Sequence, residues 1–156
     1  MKIDLKSTVI HLFNSDLLKL KEIRKFIEEN LERKTKEIRA KKTIPAFNLK
    51  KKSVVALKLT YNGKQGYLFL DSILNKNIPL TSIRETGFTI GLKEYCDLSI
   101  FPYTVELPLF GLDISFNFTS RGSRIAQRKR NKKEFKNLCN KEEIISILKE
   151  RGYEIQ

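Results

Sequence analysis

The apolar positions fall into two alternating rhythms. Residues 7–13 (Ser-Thr-Val-Ile-His-Leu-Phe) are apolar and β-branched and predict a short strand. Asn14, Ser15 and Asp16 supply cap-type residues, and a helix follows from Leu17 to about Lys36. Leu17, Leu20, Ile23 or Phe26, Ile27 and Leu31 recur at three- and four-residue steps and form its apolar stripe. Lys19, Glu22, Lys25, Glu28, Glu29 and Glu32 occupy its solvated face. Val54–Tyr61 alternates as a strand, and Asn62-Gly63 is a turn signal. Beyond it two readings stay open. Gly66–Leu70 can return as a hairpin, or Tyr67, Leu70, Ile73 and Leu74 can make a helical face. Residues 75–86, with Pro79, connect to a strand at Gly87–Lys93. Leu98–Pro102 is an apolar knot closed by proline. Strand pattern resumes over Val105–Phe118. There Leu112, Ile114, Phe116 and Phe118 point one way, and Asp113, Ser115, Asn117 and Thr119 the other. That alternation predicts an antiparallel sheet with one covered face and one open polar face. The chain closes on a helix opened by an Asn140/Glu143 capping box and ended at Gly152.

From the first helix through the Val54 strand, the stretch Arg39–Gly63 changes character twice. It is basic at Arg39, Lys41 and Lys42, apolar at Ile44, Pro45, Ala46 and Phe47, and basic again at Lys50, Lys51 and Lys52. Pro45 forbids a helix through it and biases Ile44 to extended backbone. We expect Phe47 to anchor this loop in the core and hold its cations rigidly at the surface.

Composition sharpens this picture. The 156 residues suit one domain with a proper core. Lys and Arg number 31 against 18 Asp and Glu, a net charge of +13 and a pI near 9.8. That balance attracts polyanions, with nucleic acid the first candidate and an anionic membrane surface the second. The densest charge run is Arg121–Lys136, with Arg121, Arg124, Arg128, Lys129, Arg130, Lys132, Lys133 and Lys136 against Glu134 alone. No apolar run is long enough to span a bilayer, and residues 1–13 read as neither signal nor transit peptide. Cys96 and Cys139 lie at no metal-ligand spacing and are expected to be reduced. His11 sits within an apolar strand and reads as a packed residue rather than a ligand. Phosphate-cradling glycine motifs are absent, and the acids are scattered, so no cofactor and no enzymatic centre is expected. Binding remains: cations for phosphates, and Tyr61, Tyr67 or Tyr103 for base stacking if exposed.

The order of short motifs then resembles a known family. Ala40-Lys41-Lys42-Thr43-Ile44-Pro45-Ala46-Phe47-Asn48-Leu49-Lys50 is similar to the A-[KR]-K-S-[IV]-A-x-F-K-[IL]-R signature of the large-subunit ribosomal protein family that binds 5S rRNA, the "L-five" family. Without a gap, Leu57–Gly63 resembles its K-V-T-L-R-G strand. Tyr67, Phe69, Leu70 and Asp71 fall on its Y-E-F-L-D helix. Gly91-Leu92-Lys93-Glu94, Ile100-Phe101-Pro102 and Gly111-Leu112-Asp113-Ile114 resemble three further family motifs in the same order. Each fragment is weak alone; six in order over residues 40–114 are strong together.

The resemblance implies an α+β fold: an antiparallel sheet with helices packed on one face, as a domain over 1–120. Residues 121–156 then form a basic extension and C-terminal helix. It also settles the open segment as strand, turn, then helix from about Gln65. It implies a structural role in the central protuberance of the large ribosomal subunit, binding rRNA (5S rRNA or its replacement) and contacting P-site tRNA. A small-subunit head protein of the S-thirteen family and other central-protuberance proteins are the implied protein partners, with no membrane. On this reading Lys41, Lys42, Asn48, Lys50, Lys51 and Lys52 meet tRNA. Arg33, Lys34, Arg39, Lys58, Thr60, Arg121, Arg124, Arg128, Lys129, Arg130, Lys132 and Lys133 meet rRNA. The chain departs from the family at several places. The T-G-Q-K-P segment is replaced by Leu31–Thr35, and the D-F-R-G-rich insertion after Pro79 is missing. Tyr103 stands where the family has Glu, and the tail is longer and more basic. Such trimming points to an organelle version in the mitochondrial matrix, with a bacterial or plastid ribosome as the alternative. A free-standing basic nucleic-acid-binding module is the competing function.

Overall fold

The computed structural model describes residues 3–14, 16–72, 77–120 and 139–156. The fold is α+β with a mostly antiparallel sheet. Strand β1 (Ile3–Phe13) leads into helix α1 (Leu17–Leu31) and the short strand β2 (Lys36–Arg39). Strand β3 (Val54–Asn62) runs through a 3-10 turn into α2 (Tyr67–Ser72). The short strands β4 (Asn77–Ile78) and β5 (Ile83–Arg84) precede β6 (Gly87–Leu92) and β7 (Leu112–Ser120). Helix α3 (Lys141–Glu150) and β8 (Glu154–Ile155) close the chain. Six strands form one sheet in the order β2-β3-β1-β7-β6-β5, and β4 pairs with β8 in parallel. Among the described residues no helix is long and apolar enough to cross a membrane.

The compact packing divides into two units whose boundaries fall within the strands. The first comprises the described residues of Met1–Thr8, Tyr61–Ile90 and Ser115–Gln156. Its core follows the predicted alternation: Phe116 and Phe118 are buried, with Phe116 stacked on Phe88 at 4.9 Å between ring centroids. Tyr61 packs on Phe69 of α2 at 4.7 Å. Helix α3 buries Ile144 and Leu148, carries the expected capping box, and passes into Gly152 at φ +85°. The chain then turns so that Tyr153 is buried against α2, donating its hydroxyl hydrogen to the Leu70 carbonyl. The Arg151 guanidinium lies 3.6 Å above the Tyr67 ring. Gly87 shows why a strand can begin there. Its φ is +145°, and a Cβ would sit 1.9 Å from the Phe116 carbonyl oxygen.

The second unit comprises Val9–Thr60 and Gly91–Ile114. Asp16 caps α1, its carboxylate accepting from the Leu18 N–H at 3.0 Å. Leu20, Ile23 and Ile27 are buried, and Phe26 meets Tyr95 edge-on and Phe101 at a tilt. Tyr95 also stacks on Phe110 at 4.7 Å. The apolar knot is therefore a core component, with Leu98 and Phe101 buried.

Three sequence expectations change. Strand β1 starts at Ile3 rather than residue 7, because Ile3 and Leu5 extend the buried alternation. Helix α1 ends at Leu31, five residues short of Lys36, and Glu32 turns left-handed at φ 50°. Glu28 drives the stop: its carboxylate accepts from the Thr35 N–H at 2.8 Å and the Thr35 hydroxyl at 2.9 Å, and also pairs with Arg24. The freed residues 36–39 become β2, antiparallel to β3, with Ile38 opposite Ala56. Strand β7 begins at Leu112, not near residue 105, and Val105 is 85% exposed in the preceding loop. Both cysteines are free, Cys139 buried and Cys96 half-buried.

Candidate nucleic-acid interface

The connection from β2 to β3 is a folded loop. Its base closes where the Ala40 N–H donates to the Ser53 carbonyl (2.9 Å) and the Lys52 N–H donates to the Ala40 carbonyl (2.8 Å). Its tip closes where Ile44 and Leu49 exchange two backbone bonds of 2.9 and 3.1 Å. Between them Pro45–Phe47 make a 3-10 turn, and Asn48 (φ 53°) brings the chain back. The Thr43 hydroxyl oxygen accepts from the Lys51 N–H at 3.1 Å.

This frame brings the predicted loop residues together: Lys41, Lys42, Asn48, Lys50, Lys51 and Lys52 are all exposed. No acidic residue occurs between Glu37 and Asp71, so nothing within that span of chain neutralises the loop's cations. Phe47 contradicts its expected role. It is 68% exposed and not a core anchor. The loop is held by its own backbone hydrogen bonds, and the apolar side chain stands exposed at its tip.

The sheet's open side supplies a second surface. In the second unit, Lys36 of β2 sits directly opposite Lys58 of β3 in the ladder. Two like charges facing each other across a ladder repel unless an anion lies between them. His11 on β1 is half-buried nearby, and its pKa is lowered by burial and then by the Lys58 charge, against an opposing pull from Asp113. It is therefore mainly neutral at pH 7, a hydrogen-bonding group rather than a cation. Thr60 is half-exposed. In the first unit the open side carries hydroxyls and amides: Thr89 and Ser115 bond at 3.0 Å, and the Asn117 amide donates to Ser7 at 3.3 Å. These groups adjoin a cleft of about 400 Å³ lined also by Thr81, Ser82 and Arg84.

The other predicted residues are more dispersed. Arg33 and Lys34 are exposed after α1, in a cleft shared with Glu28, Glu29 and Glu32, where the charge is mixed. Arg39 is exposed but paired with Glu37 at 3.6 Å. Arg121, Arg124, Arg128, Lys129, Arg130, Lys132 and Lys133 lie outside the described residues. Of the three tyrosines proposed for stacking, Tyr61 is buried, Tyr67 is half-buried under Arg151, and Tyr103 is 65% exposed. Sequence reading missed Lys36, His11 and the hydroxyl row. The helical spacing that starts at Leu17 takes in Lys36, and His11 alternates inside an apolar run whose two faces differ only once the strands pair.

Known proteins decide the family. No family model matches the chain. The large ribosomal subunit protein uL5 of Methanoregula boonei is 34% identical over 116 residues, covering 70% of each chain. The chain belongs to the uL5 family. The uL5 protein of Archaeoglobus fulgidus is 30% identical over 131 residues, 81% of this chain and 74% of that one. That of Methanosphaera stadtmanae is 28% identical over 138 residues, 85% and 82% respectively. Membership makes this uL5-family chain a structural protein rather than an enzyme.

Proposed function

We propose that this uL5-family chain is a constituent of the large ribosomal subunit, that its open sheet side binds rRNA in the central protuberance, and that its β2–β3 loop contacts P-site tRNA. The observation that carries the reading is the loop itself: five exposed lysines on a frame closed at base and tip by backbone hydrogen bonds, with no acid between Glu37 and Asp71. Cations held in place before binding meet phosphates at less ordering cost than cations on a free chain. In the second unit Lys36 and Lys58 provide a phosphate position and His11 and Thr60 offer hydrogen bonds to ribose and base edges; in the first unit Ser115 and Asn117 offer such bonds on their own. The polar side is suited to 5S rRNA or its replacement. The cations of 121–133 add further phosphate contacts to rRNA, and a further edge meets a small-subunit head protein.

The test is co-sedimentation with large subunits through a high-salt gradient, combined with tRNA binding by a Lys42→Ala, Lys50→Ala, Lys51→Ala variant. Lys52 is left in place because its backbone is left-handed at φ 68°. The variant should bind tRNA more weakly. Its slope of log affinity against log salt should fall by about 2, at roughly 0.7 to 0.9 per lost phosphate contact. An unchanged slope, or a chain that leaves the subunit at moderate salt, overturns the reading.

A further inference from the structure

Phe47 is the feature that charge alone leaves unexplained. It stands 68% exposed at the loop tip, with Ile44 beside it at 38%. A single exposed apolar residue on a surface is ordinary, but this one is held in position. Pro45 presets the 3-10 turn, the Phe47 N–H donates to the Ile44 carbonyl at 3.2 Å, and the Asn48 N–H donates to the Pro45 carbonyl at 3.1 Å. The paired Ile44–Leu49 bonds then clamp the two ends of the turn. The ring is thus displayed by backbone geometry, and Lys41, Lys42, Lys50, Lys51 and Lys52 flank it in the chain, all exposed.

The flanking charge selects the partner. An apolar protein pocket would have to accept uncompensated lysines around its rim. A folded RNA presents phosphates to the lysines and, where a helical stack ends or bends, a bare base plane to the ring. Aromatic rings stack on such planes whatever the base, because every base has a π-face. We propose that Phe47 is a stacking residue that lies on an exposed base plane of the folded RNA whose phosphates the loop lysines hold. The inference rests on the reading of this loop as a tRNA-contacting element, and it separates two tasks within it. The lysines set affinity through salt-dependent charge, and Phe47 fixes where on the RNA surface the loop stops.

The experiment uses the full chain and a folded tRNA transcript, with affinity measured across a salt series. Four proteins are compared with the natural chain: Phe47→Ala, Phe47→Leu, Phe47→Trp and the triple lysine variant. Because Phe47 and the three lysines are exposed, all should melt at the temperature of the natural chain. Phe47→Ala should weaken binding about tenfold with an unchanged salt slope, since stacking releases no counterions. Phe47→Leu should be nearly as weak, and Phe47→Trp should bind as well as the natural chain or better. The chain contains no tryptophan, so fluorescence of the Phe47→Trp variant reports the tip alone and should be quenched on RNA binding. If the lysine variant weakens while Phe47→Ala does not, stacking is wrong and the RNA-contacting role of the loop survives. Full affinity in Phe47→Leu also overturns stacking, in favour of a plain apolar contact. If neither the lysine variant nor Phe47→Ala changes binding, both readings fall together.

Discussion

Tyr153 offers the most demanding test of how the C-terminal segment is held. Its side chain is buried, and its hydroxyl donates to the Leu70 carbonyl, with Asp71 Oδ1 at 3.2 Å. Leu70 lies in the last turn of α2, which ends at Ser72. The Tyr153→Phe variant keeps the ring and its packing but removes the buried hydrogen bond that the Leu70 carbonyl accepts. Such a loss costs about 1–3 kcal/mol. For a chain of this size, a loss near 1.5 kcal/mol lowers the midpoint of thermal unfolding by roughly 3–6 °C. Urea unfolding followed by far-UV circular dichroism measures it at pH 7.

The same hydroxyl predicts the alkaline limb. Burial pushes the Tyr153 pKa well above its ordinary 10.0, and the Asp71 carboxylate adds to the shift against an opposing pull from Arg151. A folded-state pKa above the unfolded one means that the contribution is complete below pH 10 and is lost as pH rises towards the folded value. The stability gap between the natural chain and Tyr153→Phe should therefore be constant through neutral pH and narrow above pH 10. A variant within about 0.5 kcal/mol of the natural chain at pH 7, the range of ordinary surface changes, would refute the argument.

Two other positions test the strand packing. Gly87→Ala places a Cβ 1.9 Å from the Phe116 carbonyl oxygen at φ +145°, so it should cost about 3 kcal/mol or more in urea unfolding, and a loss below about 1 kcal/mol would mean β6 and β7 separate easily. Thr8 is fully buried, and its hydroxyl has no hydrogen-bond partner among the described residues. Thr8→Val should raise stability by about 1 kcal/mol, and a lowered urea midpoint would show that the hydroxyl is satisfied after all.

Local pattern carried much of this chain. The Leu17 stripe, the Leu112–Phe118 alternation and the Asn140/Glu143 box each depend on neighbours a few residues apart, and each element formed where those spacings placed it. The lysine content of the β2–β3 loop and the absence of acid around it were likewise plain in the sequence. Non-local hydrogen bonds decided the rest. Residues 36–39 follow the helical pattern of α1 weakly, but β3 offers them a ladder and Glu28 holds Thr35 in the turn between. Lys36 and Lys58 are 22 positions apart, and only the register sets them face to face. The clearest division falls on Phe47. Its hydrophobicity argued for burial. Only the folded loop shows the backbone bonds of residues 40–53 closing on themselves, which removes the need for a core anchor and leaves the ring outside. The sequence by itself determined which residues are apolar, which are cationic and what each short stretch prefers. Tertiary structure decided which surface each of them faces, because facing is set by partners that local spacing does not encode.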